Sequence, residues 1–117
     1  MPNFRQGDVV AVPFPYTDRE TRQRRPALVV STVDIEADHG LLWVVMITSA
    51  ANRGWPGDIP VGSLSKAGLP VASIVRPRKV ATIEARDAER LGNVVPEVLA
   101  QALKEIEREL GLTRRRS

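Results

Sequence analysis

The cationic residues of this chain are mostly arginines, and ten of the 17 fall into three groups along the sequence. Arginine carries a planar set of N–H donors that can bind two phosphate oxygens at once, whereas lysine acts as a point charge. The groups are Arg19, Arg22, Arg24 and Arg25; Arg76, Arg78 and Lys79; and Arg114, Arg115 and Arg116. Any one group taken alone is more typical of a solvated charged surface, and an anionic partner for the first two groups is the alternative interpretation. The third is expected to be a disordered basic tail over residues 113–117.

Two further features bear on phosphate chemistry. Arg25 stands immediately before Pro26 at the start of an apolar segment, and the hydroxyl pair Thr48 and Ser49 ends another. Arginine is too basic to act as a general base, but it can stabilise charge that develops on a phosphate or protonate a departing oxygen. Such a site cleaves a phosphodiester only where the substrate supplies the nucleophile, as RNA does with its 2′-OH.

Composition excludes most other chemistries. The chain has 117 residues, which predicts a single domain over residues 1–112, and 43% of its residues are hydrophobic. It contains no cysteine, which rules out a disulfide scaffold, a thiol nucleophile and cysteine-bound zinc. It contains one histidine, so a pair of histidines cannot act as acid and base. We therefore expect no cofactor and no metal. The sequence shows neither a membrane span nor a signal peptide, which favours the cytoplasm.

Several other residues attract attention without indicating a site. Asp34, Glu36, Asp38 and His39 do not fit an EF-hand, because Val45 stands where its last glutamate ligand belongs; a solvated turn is expected there. Trp43 alternates with Val45 in an apolar run and is expected in the core. Trp55 is expected to be the more exposed tryptophan, with packing of its own loop as the alternative.

Hydrophobic patterning predicts several short strands and one helix. The strands are expected at residues 8–14, 26–31, 41–49, 58–61, 71–76 and 79–84. Residues 8–14 alternate as in a half-buried strand, and Pro13 favours a sheet edge or a bulge there. Residues 41–49 are expected to be the central strand, residues 15–25 a long loop, and residues 32–40 a turn with room for one helical turn. The C-terminal helix is expected at residues 96–110.

The apolar stripe of this helix consists of Val98, Leu99, Ala102, Leu103, Ile106 and Leu110. Pro96 at its first position and Gly111 just beyond its end are typical helix boundaries. A run of short strands followed by one helix favours a mainly β fold, in which a small, strongly curved antiparallel barrel packs against the helix.

The order of these segments resembles the MazF/PemK family of toxin endoribonucleases. The segments that carry the resemblance are GDVVAVPF at 7–14, RRPALVVS at 24–31, MITSA at 46–50, SIVRPRKVATIE at 73–84 and PEVLAQALKEIERELG at 96–111. The resemblance implies an SH3-like barrel with a C-terminal helix that forms a homodimer. It also implies sequence-specific, metal-independent cleavage of single-stranded RNA, with a 2′,3′-cyclic phosphate and a 5′-OH as products. The implied partner is an antitoxin, whose C-terminal segment we expect to be acidic.

The resemblance also assigns roles to individual positions. Arg25 matches the main catalytic residue, and Thr48 matches the residue that helps to hold the scissile phosphate. Glu20 and Arg76 match further positions, Arg76 in contact with the RNA backbone or in catalysis. With these we group as RNA-binding Arg22, Arg24, Ser49, Arg78 and Lys79.

Two departures from the family pattern concern the same surface. Some relatives carry an acidic residue where this chain has Arg78, so a carboxylate role does not transfer to that position. The loop has Arg22, Gln23 and Arg24 where relatives usually carry small or neutral residues, which predicts stronger electrostatic attraction of RNA.

Two other functions are compatible with the same fold. One is that of the gyrase poison CcdB, which acts by binding a protein; Arg25 and Thr48 at the catalytic positions argue against it. The other is an inactive SH3-like module that binds RNA or protein.

Overall fold

A computed structural model describes residues 2–13 and 24–112 of the chain. Six strands form one antiparallel sheet: β1 (Asp8–Val12), β2 (Arg25–Val29), β3 (Leu41–Ser49), β4 (Ile59–Pro60), β5 (Ser73–Glu84) and β6 (Glu89–Asn93). The helices are α1 (Val33–His39), α2 (Leu64–Ala67) and α3 (Pro96–Glu109). The strand order is β4-β5-β3-β2-β1-β6, and the sheet curls into a half-barrel. The mainly β fold with a C-terminal helix is therefore confirmed.

The strand predicted to be central lies in the interior of the sheet. β3 pairs with β2 on one side and with β5 on the other. Its side chains alternate between two apolar clusters, because successive residues of a strand point to opposite faces. Val45 and Ile47 pack on the face that α3 covers, here called the helix face, and Val44 and Met46 pack on the opposite face.

The helix α3 packs on the sheet through the predicted stripe. Val98 and Ala102 are buried, and Leu99, Leu103 and Ile106 are partly buried against the same cluster. Fully burying side chains of this size contributes about 1.5–3 kcal/mol each, so the stripe is what fixes α3 to the sheet. Leu110, the last member of the predicted stripe, is instead 65% exposed, because α3 ends at Glu109.

The first strand differs from its prediction. β1 is buried on both faces rather than half-buried: Val9 belongs to the helix-face cluster, and Val10 and Val12 belong to the opposite cluster. It is also not an edge strand, because β2 and β6 pair with its two sides. Pro13 lies just beyond the last residue of the strand, where it costs no ladder hydrogen bond.

The later strands also differ from their predictions. The segments predicted as two strands at 71–76 and 79–84 form the single strand β5. Its pairing with β3 shifts between Met46↔Arg76 and Val45↔Val80, so residues 77–79 form an extra loop within the strand, here called the β5 bulge. β6 was not predicted at all, because its sequence ERLGN is mostly polar and three of its five residues are exposed.

The predicted turn at residues 32–40 contains a seven-residue helix, α1. Glu36 is buried there rather than solvated, and its carboxylate accepts hydrogen bonds from the backbone N–H groups of Asn3 and Phe4 at 3.0 Å. Trp43, predicted in the core, is 50% exposed. It occupies a helix-face position of β3 beside α1, beyond the area that α3 covers.

Phe14 of the first predicted strand, residues 15–23 of the predicted loop 15–25 and the predicted tail 113–117 lie outside the described residues. Arg25, predicted as the last residue of that loop, is instead the first residue of β2. Across residues 2–13 and 24–112, no helix has both the length and the apolar character needed to cross a membrane.

Candidate active site

The two residues assigned to catalysis lie on adjacent strands. Arg25 is the first residue of β2 and pairs with Val12 of β1, and Thr48 is the penultimate residue of β3. The register Ala27↔Met46, continued by two residues, brings Arg25 opposite Thr48. Residues directly opposite in an antiparallel pair have Cα atoms about 4.5–5.5 Å apart and side chains on the same face. Both side chains therefore belong to the face opposite α3, at the end of β2 and β3.

Thr48 and Ser49 are half-buried, and both hydroxyls are already engaged. The Thr48 Oγ1 accepts a hydrogen bond from the Asn52 Nδ2 at 3.0 Å, and the Ser49 Oγ accepts one from the Ala51 N–H at 3.2 Å. As acceptors in these bonds, both hydroxyls keep their own hydrogens as donors. The Thr48 hydroxyl can therefore donate to a phosphate oxygen while Asn52 holds it in place.

Arg76 lies on the same face as Thr48, because it pairs with Met46. Its side chain is buried, with only 7% of the side chain exposed. The Nε and Nη2 atoms bind the two carboxylate oxygens of Asp58 at 3.0 and 2.9 Å, and Nη2 also donates to the Asn52 carbonyl at 2.9 Å. The guanidinium lies 4.5 Å from the centre of the Trp55 ring. Arg76 is therefore held rigidly by the segment that follows β3.

Asp58 is the anionic partner in this arrangement. Burial by itself would raise its pKa, but hydrogen bonds from the Arg76 guanidinium and from the backbone N–H groups of Trp55 and Gly54 together lower the pKa below its ordinary value. The carboxylate therefore stays ionised at neutral pH. Asp58 supports Arg76 and is not available as a proton carrier.

The other two residues of the second basic group lie at the β5 bulge. The Lys79 Nζ lies 5.4 Å from the centre of the Trp55 ring. Arg78 points toward α3, where its guanidinium forms ion pairs with Glu105 at 3.0 Å and Glu109 at 2.7 Å. The three residues that the sequence grouped together thus have different surroundings.

The first basic group is only partly described. Arg24 is exposed, and its Nη2 donates to the backbone carbonyls of Ala11 at 2.9 Å and Asp87 at 2.7 Å. It thereby joins the start of β2 to the 3-10 turn that follows β5. Glu20 and Arg22 lie outside the described residues.

Three residues of the site were missed or left open by sequence reasoning. Asn52 and Asp58 were not predicted to have any role, although both are neighbours of the predicted site residues. Trp55 is 42% exposed, as predicted, but it also packs against Arg76 and Lys79. The only sequence signal was their position in the loop that directly follows Thr48 and Ser49.

The arrangement can bind a phosphate and stabilise charge on it. The guanidinium of Arg25 makes no hydrogen bond or ion pair within residues 2–13 and 24–112, so its five N–H donors are open to a ligand. The Thr48 hydroxyl lies on the neighbouring strand. In the same part of the chain no three His, Cys, Asp or Glu side chains come together as metal ligands.

Comparison with solved structures shows the same fold in known toxins. The chain resembles MazF from Deinococcus radiodurans, at 25% identity over 95% of this chain and 98% of the other, with a TM-score of 0.74. MazF in a MazE–MazF complex from the same organism gives a TM-score of 0.74 and 25% identity over 93% and 96% of the two chains. An endoribonuclease in complex with its cognate antitoxin, from a mycobacterial species, is 19% identical over 98% of this chain and 100% of that one, with a TM-score of 0.73. At that identity the likeness concerns the fold alone.

The family assignment comes from the sequence as well. A comparison with curated proteins returned no match. The sequence model of the PemK-like, MazF-like toxins of type II toxin–antitoxin systems matches residues 5–112, which is nearly the whole chain. The match spans every element of the sheet and helix α3, and it includes Arg25 and Thr48. The chain therefore belongs to the family of PemK-like, MazF-like toxins.

Proposed function

We propose that this protein is a toxin that cleaves single-stranded RNA at specific sequences without a metal ion. The observation that carries the proposal is the register of β2 and β3: extended by two residues beyond Ala27↔Met46, it places Arg25 opposite Thr48 on the face opposite α3. An open guanidinium and a held hydroxyl on adjacent strands suit the binding of a phosphodiester. Membership of the MazF-like family supports the proposal, because endoribonuclease activity is implied for the family.

The proposed reaction uses the 2′-OH of the RNA as its nucleophile. The 2′ oxygen forms a bond to phosphorus, the bond between phosphorus and the 5′ oxygen breaks, and the products are a 2′,3′-cyclic phosphate and a 5′-OH. The proton of the 2′-OH passes to solvent water, and the departing 5′ oxygen gains a proton from a donor that solvent reprotonates. Arg25 stabilises the negative charge that develops on the phosphate oxygens and can donate the proton to the departing oxygen. Thr48 orients the phosphate, and DNA is not cleaved because it lacks the 2′-OH.

The remaining RNA contacts in this proposal lie next to the catalytic pair. Arg24, Lys79 and Arg76 contribute positive charge on or beside the same face, with Ser49 as a hydroxyl donor. Glu20 remains proposed from the resemblance, and Arg22 remains proposed from its place in the first basic group. Arg78 was grouped with these residues, but its ion pairs with α3 suggest another role, which is argued below.

We further propose that the toxin is a cytoplasmic homodimer and binds a cognate antitoxin with an acidic C-terminal segment. Two copies related by a two-fold axis would double the basic surface available to RNA. An acidic segment would compete for that surface by charge complementarity. Solved relatives include MazF bound to MazE and an endoribonuclease bound to its cognate antitoxin, which supports an antitoxin as the partner.

The test is cleavage of a defined single-stranded RNA in the presence of EDTA, read by primer extension. We expect Arg25→Ala to lower the cleavage rate about 100-fold or more, since it removes the main group that stabilises the transition state. Thr48→Ala should lower it less. The matched control is Arg86→Ala, because the Arg86 side chain is 82% exposed and lies on the 3-10 turn after β5. Circular dichroism checks that each variant is folded.

Three results would overturn the proposal. Cleavage that continues unchanged in folded Arg25→Ala would rule out the assigned site. Growth arrest without RNA cleavage, accompanied by accumulation of DNA–gyrase complexes, would instead identify a CcdB-like toxin. A chain that neither cleaves RNA nor arrests growth would be an inactive binding module.

A further inference from the structure

Arg78 occupies the β5 bulge, which turns it away from the face that carries Arg25 and Thr48. Arg76 pairs with Met46, whereas Val80 pairs with Val45, so Pro77, Arg78 and Lys79 have no partner residues on β3. Arg76 and Val80 are four residues apart, so in a regular strand their side chains would lie on the same face. Because of the bulge, Arg76 lies on the face opposite α3 and Val80 lies on the helix face. Arg78 consequently reaches α3 on the helix face.

The guanidinium of Arg78 has a partner at each of its three nitrogens. The Nε donates to Glu109 at 2.8 Å, the Nη2 pairs with Glu105 and Glu109, and the Nη1 donates to the backbone carbonyl of Pro56 at 2.9 Å. The hydrogen bond to Glu109 raises the pKa of Arg78, although desolvation opposes the shift. One side chain therefore links three elements: the β5 bulge, the loop at Pro56 and helix α3.

The glycine that follows Pro56 leaves room for the Arg78 side chain. Gly57 has φ +86°, and a Cβ at this position would overlap with the Arg78 Nη1 and lie 3.0 Å from a carboxylate oxygen of Glu105. Any residue with a side chain would push the guanidinium away from the Pro56 carbonyl. The absence of a side chain at Gly57 is thus what lets Arg78 pass between the loop and α3.

The same short loop carries the support for Arg76. We name residues 50–58 the site loop. Asp58 at its end binds Arg76 through both carboxylate oxygens, and it also accepts the N–H groups of Gly54 and Trp55. Pro56, the residue that Arg78 holds, lies between Trp55 and Asp58. Movement of Pro56 would therefore move Trp55 and Asp58, two of the residues that contact the Arg76 guanidinium.

We infer that Arg78 is a positioning residue, which fixes the site loop against Glu105 and Glu109 of α3 and thereby holds Trp55 and Asp58 against Arg76. The inference rests on the proposed function where it concerns RNA cleavage. It replaces the prediction that Arg78 binds RNA. A guanidinium paired with two carboxylates belongs to a group of net charge −1, which is a poor ligand for phosphate.

The experiment compares variants of Arg78 with variants of its two acidic partners. All are made in Trp43→Phe, so that Trp55 is the one remaining tryptophan of the two in the chain. The variants are Arg78→Ala, Arg78→Lys, Gly57→Ala and the double variant Glu105→Gln with Glu109→Gln. Matched controls are Arg86→Ala and Glu107→Gln, an exposed glutamate of α3. The readouts are the indole N–H signal of Trp55, kcat and KM for RNA cleavage, and the salt dependence of RNA binding.

The inference predicts the same outcome for Arg78→Lys as for Arg78→Ala, because an ammonium group cannot satisfy three separated acceptors. We expect a shifted Trp55 signal and a fall in kcat of about tenfold or more, since small displacements of positioning groups have effects of this size or larger. KM and the slope of log K against log salt should stay unchanged. The double variant should also lose kcat, although it makes the protein more positive, and Gly57→Ala should behave likewise.

The same variants would give a different pattern of results if Arg78 bound RNA directly. If Arg78 contacts RNA, Arg78→Ala makes the salt slope shallower by about 0.7, Arg78→Lys keeps most of the activity, and the double variant binds RNA more tightly. That pattern with an unshifted Trp55 signal would overturn the inference. If the parent protein cleaves no RNA, the proposed function fails, whereas the Trp55 signal still decides whether Arg78 positions the loop.

Discussion

At the scale of single residues, the site depends on a buried ion pair that holds one arginine still. The side chains of Arg76 and Asp58 are 7% and 9% exposed, and they meet through two hydrogen bonds. Removing one partner of a buried pair leaves an uncompensated charge, which is costly. Arg25, by contrast, is half-buried and retains its donors for a ligand. The Arg76–Asp58 pair therefore contributes both to the stability of the protein and to the shape of the surface on which RNA is proposed to lie.

Asp58→Asn should destabilise the protein by about 3 kcal/mol near neutral pH, because it removes the charge of the carboxylate that the buried Arg76 guanidinium contacts through two hydrogen bonds. The dependence on pH has a defined sign. Since the folded-state pKa of Asp58 is lowered, its contribution is complete well above the ordinary value of 3.8 and is lost as pH falls through the lowered pKa. The free energies of unfolding of the two proteins should therefore converge in acid. Urea unfolding across this range is the measurement.

The control for that prediction is Asp34→Asn, at an exposed position of α1. It should leave the free energy of unfolding within about 0.5 kcal/mol of the parent protein. A constant difference between Asp58→Asn and the parent protein down to strongly acidic pH would contradict the assigned role of the carboxylate.

At the scale of elements, the unpredicted strand β6 is held in place by a close approach to α2. A Cβ on Gly92 would overlap with the backbone carbonyl of Lys66 and lie 2.7 Å from the carbonyl carbon of Ala67. A glycine here thus allows two backbones to come together, and β6 covers the free side of β1. The strand owes its existence to this contact and to its pairing with β1, since its own residues have little apolar pattern.

Gly92→Ala should lower the free energy of unfolding by about 1–3 kcal/mol, because backbone atoms rather than a flexible side chain must move. The comparison variant is Gly62→Ala, where a Cβ meets open space although φ is +86°. Thermal or urea unfolding measures both. RNA cleavage per folded molecule should be unchanged in Gly92→Ala, because α2 and β6 contribute no residue to the proposed site. A loss of less than about 0.5 kcal/mol in Gly92→Ala would contradict the close approach, whereas the loss in Gly62→Ala reports the cost of a positive φ without a clash.

At the scale of the whole molecule, the net charge is +3, but the basic side chains differ in their surroundings. Some are paired with carboxylates, and others are open to a ligand. Arg76, Arg78 and Arg90 are paired with carboxylates, and Arg90 binds the buried Asp8 at 3.3 Å. Arg25 and the exposed Arg24 keep their charge without an acidic partner in the described part of the chain. The RNA-binding surface is therefore expected to have fewer effective cations than a count of basic residues suggests.

The affinity for single-stranded RNA should still fall steeply as salt is raised, with a log–log slope of about −0.7 for each phosphate neutralised. Arg24→Ala should make this slope shallower by about that amount, whereas Arg86→Ala should leave it unchanged. Fluorescence anisotropy with a labelled oligoribonucleotide, in catalytically impaired Arg25→Ala as the common background, is the measurement. A flat response to salt would contradict binding led by phosphate contacts.

The sequence by itself determined the elements with strong local patterns and the family. The stripe of α3, the apolar run of β3 and the position of Arg25 before Pro26 all follow from neighbouring residues, and the structure has them where they were predicted. The family match covers the same ordered segments. Residues 14–23, with Glu20 and Arg22, remain predictions.

Only the tertiary structure decided which charged residues are engaged and which are open. Asp58 and Arg76 are 18 residues apart, and Arg78 and Glu109 are 31 apart, so no local pattern links them. Their pairing depends on the register of β4 and β5 and on three extra residues in the β5 bulge. The same holds for Trp43, which has the periodicity of a core residue but lies beside α1, outside the area that α3 covers, and is half exposed. The periodicity of the sequence indicates the face of a strand or helix on which a side chain lies. The residue that this side chain contacts is determined by the packing of segments that are distant in the sequence.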